Sequence, residues 1–387
     1  MEKIMQYSID IVRTEKDYAR YFYVTYEIES SVSIFDAAYG IAVGQSIGNP
    51  TKRSIWETDE MLENHCCKII YSPKFENKRG KIEIGFPIAN IDWQYDGISQ
   101  LLCFIMGGQV DIDTIKRCRV IDIDIPLHII SNNFKAPKYG ITGIREYTNS
   151  FGKPLFGGIV KPKTGITPNQ LLDMTKELID GGVNFIKEDE ILGNPSICRL
   201  QDRVEKIANY IQNQNVIYCF CINSDPGYVL DKAKFVSQNG GNGVHINIWS
   251  GLGVYKSIRD LDIGLFIHYQ RSGSSVITHK KNNFGISWPV LCQLAAYCGV
   301  DTIHSGMWGG YLSDPEEELH ETFNVLHKYN VLPALSCGMT ADLIKPIVEK
   351  FGFDWMANVG GSIHNDLGGT IAGARKIRTA IDNIGVN

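Results

Sequence analysis

Lys161, Lys163, Lys187, Asp189 and Glu190 are the residues of this chain whose types and spacing could do chemistry. Gly182-Val183-Asn184-Phe185-Ile186-Lys187-Glu188-Asp189-Glu190 is a short apolar run that ends in one lysine and three acids. Read as a buried strand, it carries those charges at its C-terminal end, where β/α barrels keep their active groups. Asp189 and Glu190 could then hold a hard cation such as magnesium through carboxylate oxygens. Lys187 is the misfit, because an ammonium repels a metal ion. Lys161-Pro162-Lys163, followed by Thr164-Gly165, is a second such ending. Two lysines bracketing a proline are poor core residues, although a solvated loop would also hold them.

The elements that must position these groups begin after residue 155. Short apolar runs near 157–161, 183–187, 216–222, 243–247, 263–268, 299–304, 331–336 and 355–359 predict strands. Amphipathic patterns between them predict helices, clearest at Pro168–Asp180, Gln201–Asn213, Pro226–Asn239, Pro315–Lys328 and Thr340–Lys350. Eight such units predict a (β/α)8 TIM barrel over residues 141–387. The remaining strand ends offer His245 and Asn247, then His268, Gln270 and Arg271, then His304, Ser305 and Gly306. Ser336, Cys337 and Gly338, and finally Gly360, Gly361 and Ser362, follow. Glycines after the last two strands free backbone N–H groups for a phosphate, and Arg271 offers a fork of donors. Any one glycine could equally be a turn, and His245 a satisfied core histidine.

Residues 1–140 predict an α+β, ferredoxin-like domain around an antiparallel sheet. Its strands are expected at Tyr21–Glu29, Cys67–Tyr71, Lys81–Phe86 and Val120–Ile125, with a helix over 34–43. Pro126 to about Pro154, with several Gly, Pro and Asn, reads as a connection between domains. The 387 residues carry 21% charged and 44% hydrophobic residues, a globular composition. The net charge of -5 and the lack of a basic run argue against a nucleic-acid partner. Ten scattered cysteines read as reduced thiols in a cytoplasmic protein. Met1-Glu2-Lys3-Ile4 opens no signal segment, and no apolar stretch reaches the roughly 18 residues of a membrane span.

Gly158-Ile159-Val160-Lys161-Pro162-Lys163 with Gly165, the run from Gly181 to Glu190, His304-Ser305-Gly306 and Gly360-Gly361 come in a telling order. Together they resemble the large chain of ribulose bisphosphate carboxylase and its relatives, over most of the chain. The resemblance implies that Lys187 reacts with carbon dioxide to become a carbamate, an anionic ligand beside Asp189 and Glu190 for Mg2+. Glu188 receives no ligand role. Lys161 matches the lysine that abstracts the proton giving the enediolate, with Lys163 and His304 completing the catalytic set. Arg271, Ser336, Gly338, Gly360 and Gly361 match substrate- and phosphate-contacting positions.

Departures from that family narrow the activity. Tyr311 stands where the carboxylase has the lysine that steadies added carbon dioxide, and tyrosine supplies no cation. Gln270 replaces the histidine before the family's arginine and is a poor proton shuttle. In Gly44-Gln45-Ser46-Ile47-Gly48-Asn49-Pro50, Asn49 can donate to a phosphate, but Pro50 has no donor. An asparagine of the family is replaced near Gly107-Gly108. The chain therefore resembles the form IV, carboxylase-like branch.

The expected activity is that of a magnesium-dependent enolase or keto–enol isomerase on a phosphorylated keto sugar derivative, as in methionine salvage. Decarboxylation of a 3-oxo sugar-acid phosphate is the alternative, and a non-catalytic metabolite-binding relative is another. The resemblance also implies a homodimer or an assembly of dimers, in which Gln45 to Pro50 serve the neighbouring subunit.

Overall fold

A computed structural model of the chain describes residues 11–385. Met1-Glu2-Lys3-Ile4 lies outside the described residues. The chain forms two compact units, one running to Phe134 and including Ser274–Leu291, the other comprising Lys135–Gly273 and the residues from Cys292 onward.

In the first unit, Tyr21–Ser30 is the central strand, because its alternating Phe22, Val24, Tyr26 and Ile28 are all fully buried. It pairs antiparallel with Arg79–Pro87 on one side and Ile115–Asp124 on the other. The helix Ile34–Gly44 starts where Ser33 accepts the Asp36 N–H, an N-cap that sequence makes legible. The sheet departs from the antiparallel expectation at its edges. Val12–Arg13 lies parallel to Lys68–Ile70, and Phe284–Ile286 parallel to Ile115–Asp124. That last strand arrives from far along the chain, so no hairpin dictates its direction. Arg119 holds this excursion, donating to the carbonyls of Thr278, His279 and Asn282 at 2.8–3.2 Å.

The second unit is a closed barrel of eight parallel strands. They are β1 Leu155–Ile159, β2 Phe185–Lys187, β3 Ile217–Cys221, β4 Gly243–Asn247, β5 Phe266–Gln270, β6 Thr302–Gly306, β7 Leu332–Leu335 and β8 Met356–Val359. All eight expected strands form, each followed in turn by helical chain. The helix Pro168–Asp180 shows why: Thr167 and Gln170 make a reciprocal capping box, and Pro168 opens the first turn.

The stretch expected to be a connection instead holds two helices, Leu127–Asn133 and Gly140–Thr148. Ile144 of the second joins Leu155, Phe185, Ile217, Phe266, Leu332 and Met356 in one buried cluster. The helix thus closes the barrel interior at the strands' N-terminal ends. Its first amides, Tyr139 N and Gly140 N, donate to Asp301 Oδ1 at 2.9 and 3.1 Å. Gly, Pro and Asn around this helix mask it in the sequence, and its cap comes from a residue some 160 positions away.

Candidate active site

At the carboxyl ends of the barrel strands lies a cavity of about 630 Å³. Lys161, Lys163, Asp189, Glu190, His304, Ser336, Gly338, Gly360 and Gly361 all line it. Alternation at the end of β2 sends Lys187 and Glu188 to opposite sides, and the turn that follows brings both Asp189 and Glu190 to the cavity. Lys187 ends β2 fully buried, with Nζ 3.1 Å from Glu190 Oε2 and 3.0 Å from Glu188 O. Glu188 turns to the opposite side, into a buried ion pair with Arg203 Nε at 2.8 Å. Tyr218 Oη and Cys221 N also donate to Glu188. Burial pushes its pKa up, and the Arg203 charge opposes that rise. A structural ion pair is what the sequence left unassigned at Glu188.

Two lysines neutralise the two cavity carboxylates. Lys161 Nζ lies 2.5 Å from Asp189 Oδ2, and Lys187 holds Glu190. Glu190 also accepts from Gln270 Nε2 at 2.8 Å and Ser272 Oγ at 2.6 Å. Burial alone would raise its pKa, but the Lys187 charge and the Ser272 hydrogen bond hold it well below the usual carboxylate range. Lys163 is exposed on the cavity wall.

Among the described residues, no three His, Cys, Asp or Glu side chains gather as a ready-made metal site. The donors present nevertheless fit a divalent cation once Lys187 becomes an anion. With Lys187 and Lys161 charged, two ammoniums cancel two carboxylates. With a carbamate on Lys187, three anionic groups face one ammonium, an excess that a divalent cation would balance with oxygen ligands.

His304 is buried on β6, its Nδ1 2.7 Å from Gln270 Oε1 and its Nε2 2.6 Å from Ser336 Oγ. Burial, then the charges of Arg271 and Lys187, push its pKa down to about 3. His245 and His268 sit side by side in register on β4 and β5, fully buried and held neutral by burial and the Lys187 charge. Neither lines the cavity.

Arg271 is not among the lining residues. Its guanidinium pairs with Asp314 and donates to Ser305 O, which fixes the loop after β6. That loop brings Tyr311 against the turn after β7. A Cβ at Gly338, where φ is +105°, would sit 2.6 Å from Tyr311 N. Cys337 beside it holds φ +79°, an uncommon conformation for a residue with a side chain. Asn49 lies in the first unit, where its Oδ1 accepts from Thr51 N and Thr51 Oγ1.

Sequence reasoning missed Ser272, Asp314 and Asn358. Asn358 lines the cavity, and its buried Oδ1 has no hydrogen-bond partner. A polar residue inside the strand Met356–Val359, just before Gly360-Gly361, is a signal that could have found it. Nothing in sequence places Ser272 on Glu190 or Asp314 on Arg271.

The fold and the cavity define a β/α-barrel protein whose lysines and carboxylates converge at the mouth where such barrels carry out their reactions. The chain belongs to the ribulose bisphosphate carboxylase large-chain family. Residues 140–385 match that family's catalytic domain and residues 10–129 its N-terminal domain. It is 30% identical to the ribulose bisphosphate carboxylase of Pyrococcus furiosus over 91% of this chain and 86% of that one. It is 28% identical to the 3-oxo-isoapionate-4-phosphate decarboxylase of Rhizobium etli, over 92% and 91% respectively. Among solved structures, the octameric carboxylase of Pyrococcus horikoshii superposes with a TM-score of 0.87 at 26% identity, covering 96% of this chain and 90% of that one. Relatives thus include carboxylase-like proteins with other activities as well as carboxylases.

Proposed function

We propose that this protein enolises a singly phosphorylated keto sugar derivative, as an enolase or keto–enol isomerase, with Mg2+ held by Asp189, Glu190 and a carbamate on Lys187. The observation that carries the reading is the meeting of Lys161, Lys163, Asp189, Glu190 and His304 around one cavity. When bound, the ion would supply Lewis-acid polarisation of the substrate carbonyl. The rest falls to side chains of the chain itself. Lys161, once released from Asp189 and neutral, takes the proton from the carbon beside the carbonyl. The main chain at Gly338, Gly360 and Gly361 receives the phosphate. Asn358 Oδ1 and Ser336 orient substrate hydroxyls. Tyr311, on the loop after β6, offers no cation to a nascent carboxylate, which argues against net carboxylation.

Likeness to the Rhizobium etli decarboxylase supports a second reading. There the bond to the carboxylate carbon breaks, carbon dioxide leaves, its electron pair enters the enolate, and protonated Lys161 returns a proton to carbon. Incubation of keto sugar phosphates in D2O with Mg2+ and bicarbonate separates the two. Deuterium uptake without carbon dioxide release supports the enolase; release from a 3-oxo acid phosphate supports the decarboxylase. If magnesium and carbon dioxide do not bind at Lys187, both readings fall.

A homodimer or assembly of dimers, with Asn49 serving a neighbouring subunit's phosphate site, belongs to the same proposal. Light scattering that gives a monomer overturns it. Among the described residues, no helix is long and apolar enough to cross a membrane. We propose a cytoplasmic location, which fractionation of cells would test.

A further inference from the structure

We propose that Gln270 is a positioning residue that fixes His304 as its Nδ1–H tautomer and thereby makes Ser336 Oγ an acceptor-only contact for substrate. The inference rests on the cavity being the substrate site, but its chemistry follows from one hydrogen-bonded chain. Glu190 carboxylate oxygens only accept, so the Gln270 atom 2.8 Å from Oε2 must be the amide NH2. The other end of the amide is therefore an oxygen, 2.7 Å from His304 Nδ1. An amide oxygen also only accepts, so Nδ1 carries the hydrogen.

Burial among cationic neighbours keeps His304 neutral at physiological pH. A neutral imidazole with hydrogen on Nδ1 leaves Nε2 bare. Ser336 Oγ, 2.6 Å away, is then the donor to Nε2, far nearer than the Cys337 thiol at 4.0 Å. All three side chains are at most 6% exposed, so the fold shields the hydrogen bonds they make to one another. What Ser336 shows the cavity is lone pairs alone. A substrate hydroxyl or N–H is welcome there, whereas a phosphate or carboxylate oxygen would meet another acceptor. Ser336 accordingly selects a hydroxyl-bearing carbon, and the phosphate goes elsewhere along the wall. A histidine at position 270 would not enforce this, because it could present either a donor or an acceptor to His304.

Long-range 1H–15N correlation spectra of the full-length protein, labelled at histidine and kept metal-free with chelator at pH 7, test the idea. The His304 signals are those lost in His304→Gln. The expected wild-type spectrum has Nδ1 pyrrole-like and Nε2 pyridine-like. Gln270→Leu should lose that pattern, with the Nε2–H form becoming populated. A pyrrole-like Nε2 in the wild type, or an unchanged pattern in Gln270→Leu, overturns the proposal. If Gln270→Leu does not fold, the wild-type spectrum still decides. No substrate is needed, so this outcome is separate from the fate of the enolase reading.

Discussion

Arg271 and Asp314 form a two-pronged ion pair, with Nη2 2.9 Å from one carboxylate oxygen and 3.1 Å from the other. Asp314 Oδ2 also accepts from Met307 N at 3.0 Å, so the pair ties the end of β5 to both ends of the loop carrying Tyr311. The guanidinium expected to meet phosphate is engaged by a carboxylate of its own chain.

Asp314→Asn should therefore loosen the loop and free donor capacity on Arg271. We expect a loss of about 1–3 kcal/mol in urea unfolding, the cost of leaving a mostly buried polar group poorly paired. Affinity for inorganic phosphate, followed by equilibrium dialysis, should rise in the variant. An unchanged phosphate affinity there, combined with a large loss in Arg271→Gln, would show that Arg271 already binds anions in the native protein.

The Glu188–Arg203 pair should matter for stability alone. Both side chains are fully buried, and Arg203 further satisfies the carbonyls of Gly193, Cys198 and Cys221. Removing one partner, as in Arg203→Met, strands a buried charge and should cost about 3–5 kcal/mol. The double variant Glu188→Leu/Arg203→Met should recover much of that loss in the same denaturation assay. Strict additivity of the two single losses would refute the pairing.

His304 sets a pH dependence with a definite sign. Its folded pKa of about 3 lies below the ordinary 6.5, so between those values the unfolded chain binds a proton that the folded chain does not. Stability is intact above the unfolded value and is lost as pH falls toward the folded one, by at most about 1.4 kcal/mol per pH unit. His304→Gln should show a shallower decline from pH 6.5 to 4 than the wild type. Parallel curves would mean that His304 titrates normally.

Lys161 and Lys187 should separate chemistry from metal binding. Lys187→Arg cannot form the carbamate, so bicarbonate should no longer strengthen magnesium binding in calorimetric titrations. Lys161→Met should retain magnesium binding yet lose deuterium exchange by roughly 10²–10⁴-fold, the usual worth of a positioned base. Exchange that survives in Lys161→Met would move the proton abstraction to another residue.

The sequence by itself determined the barrel and most of its cavity. Strand runs and capped helices are local patterns, read from hydrophobic period and from signals such as Thr167-Pro168 with Gln170. Strand ends converge in any closed barrel, so Lys161, Asp189, Glu190, His304 and Ser336 could be gathered on paper. The helix Gly140–Thr148 was hidden, since its fit inside the barrel and its Asp301 cap are both long-range. Only the tertiary structure decided who pairs with whom. Glu188 faces Arg203, Arg271 faces Asp314, and Gln270 bridges Glu190 to His304. The reason is physical: a buried charge or amide must find its partner across space, and spacing along the chain carries no record of which partner that is.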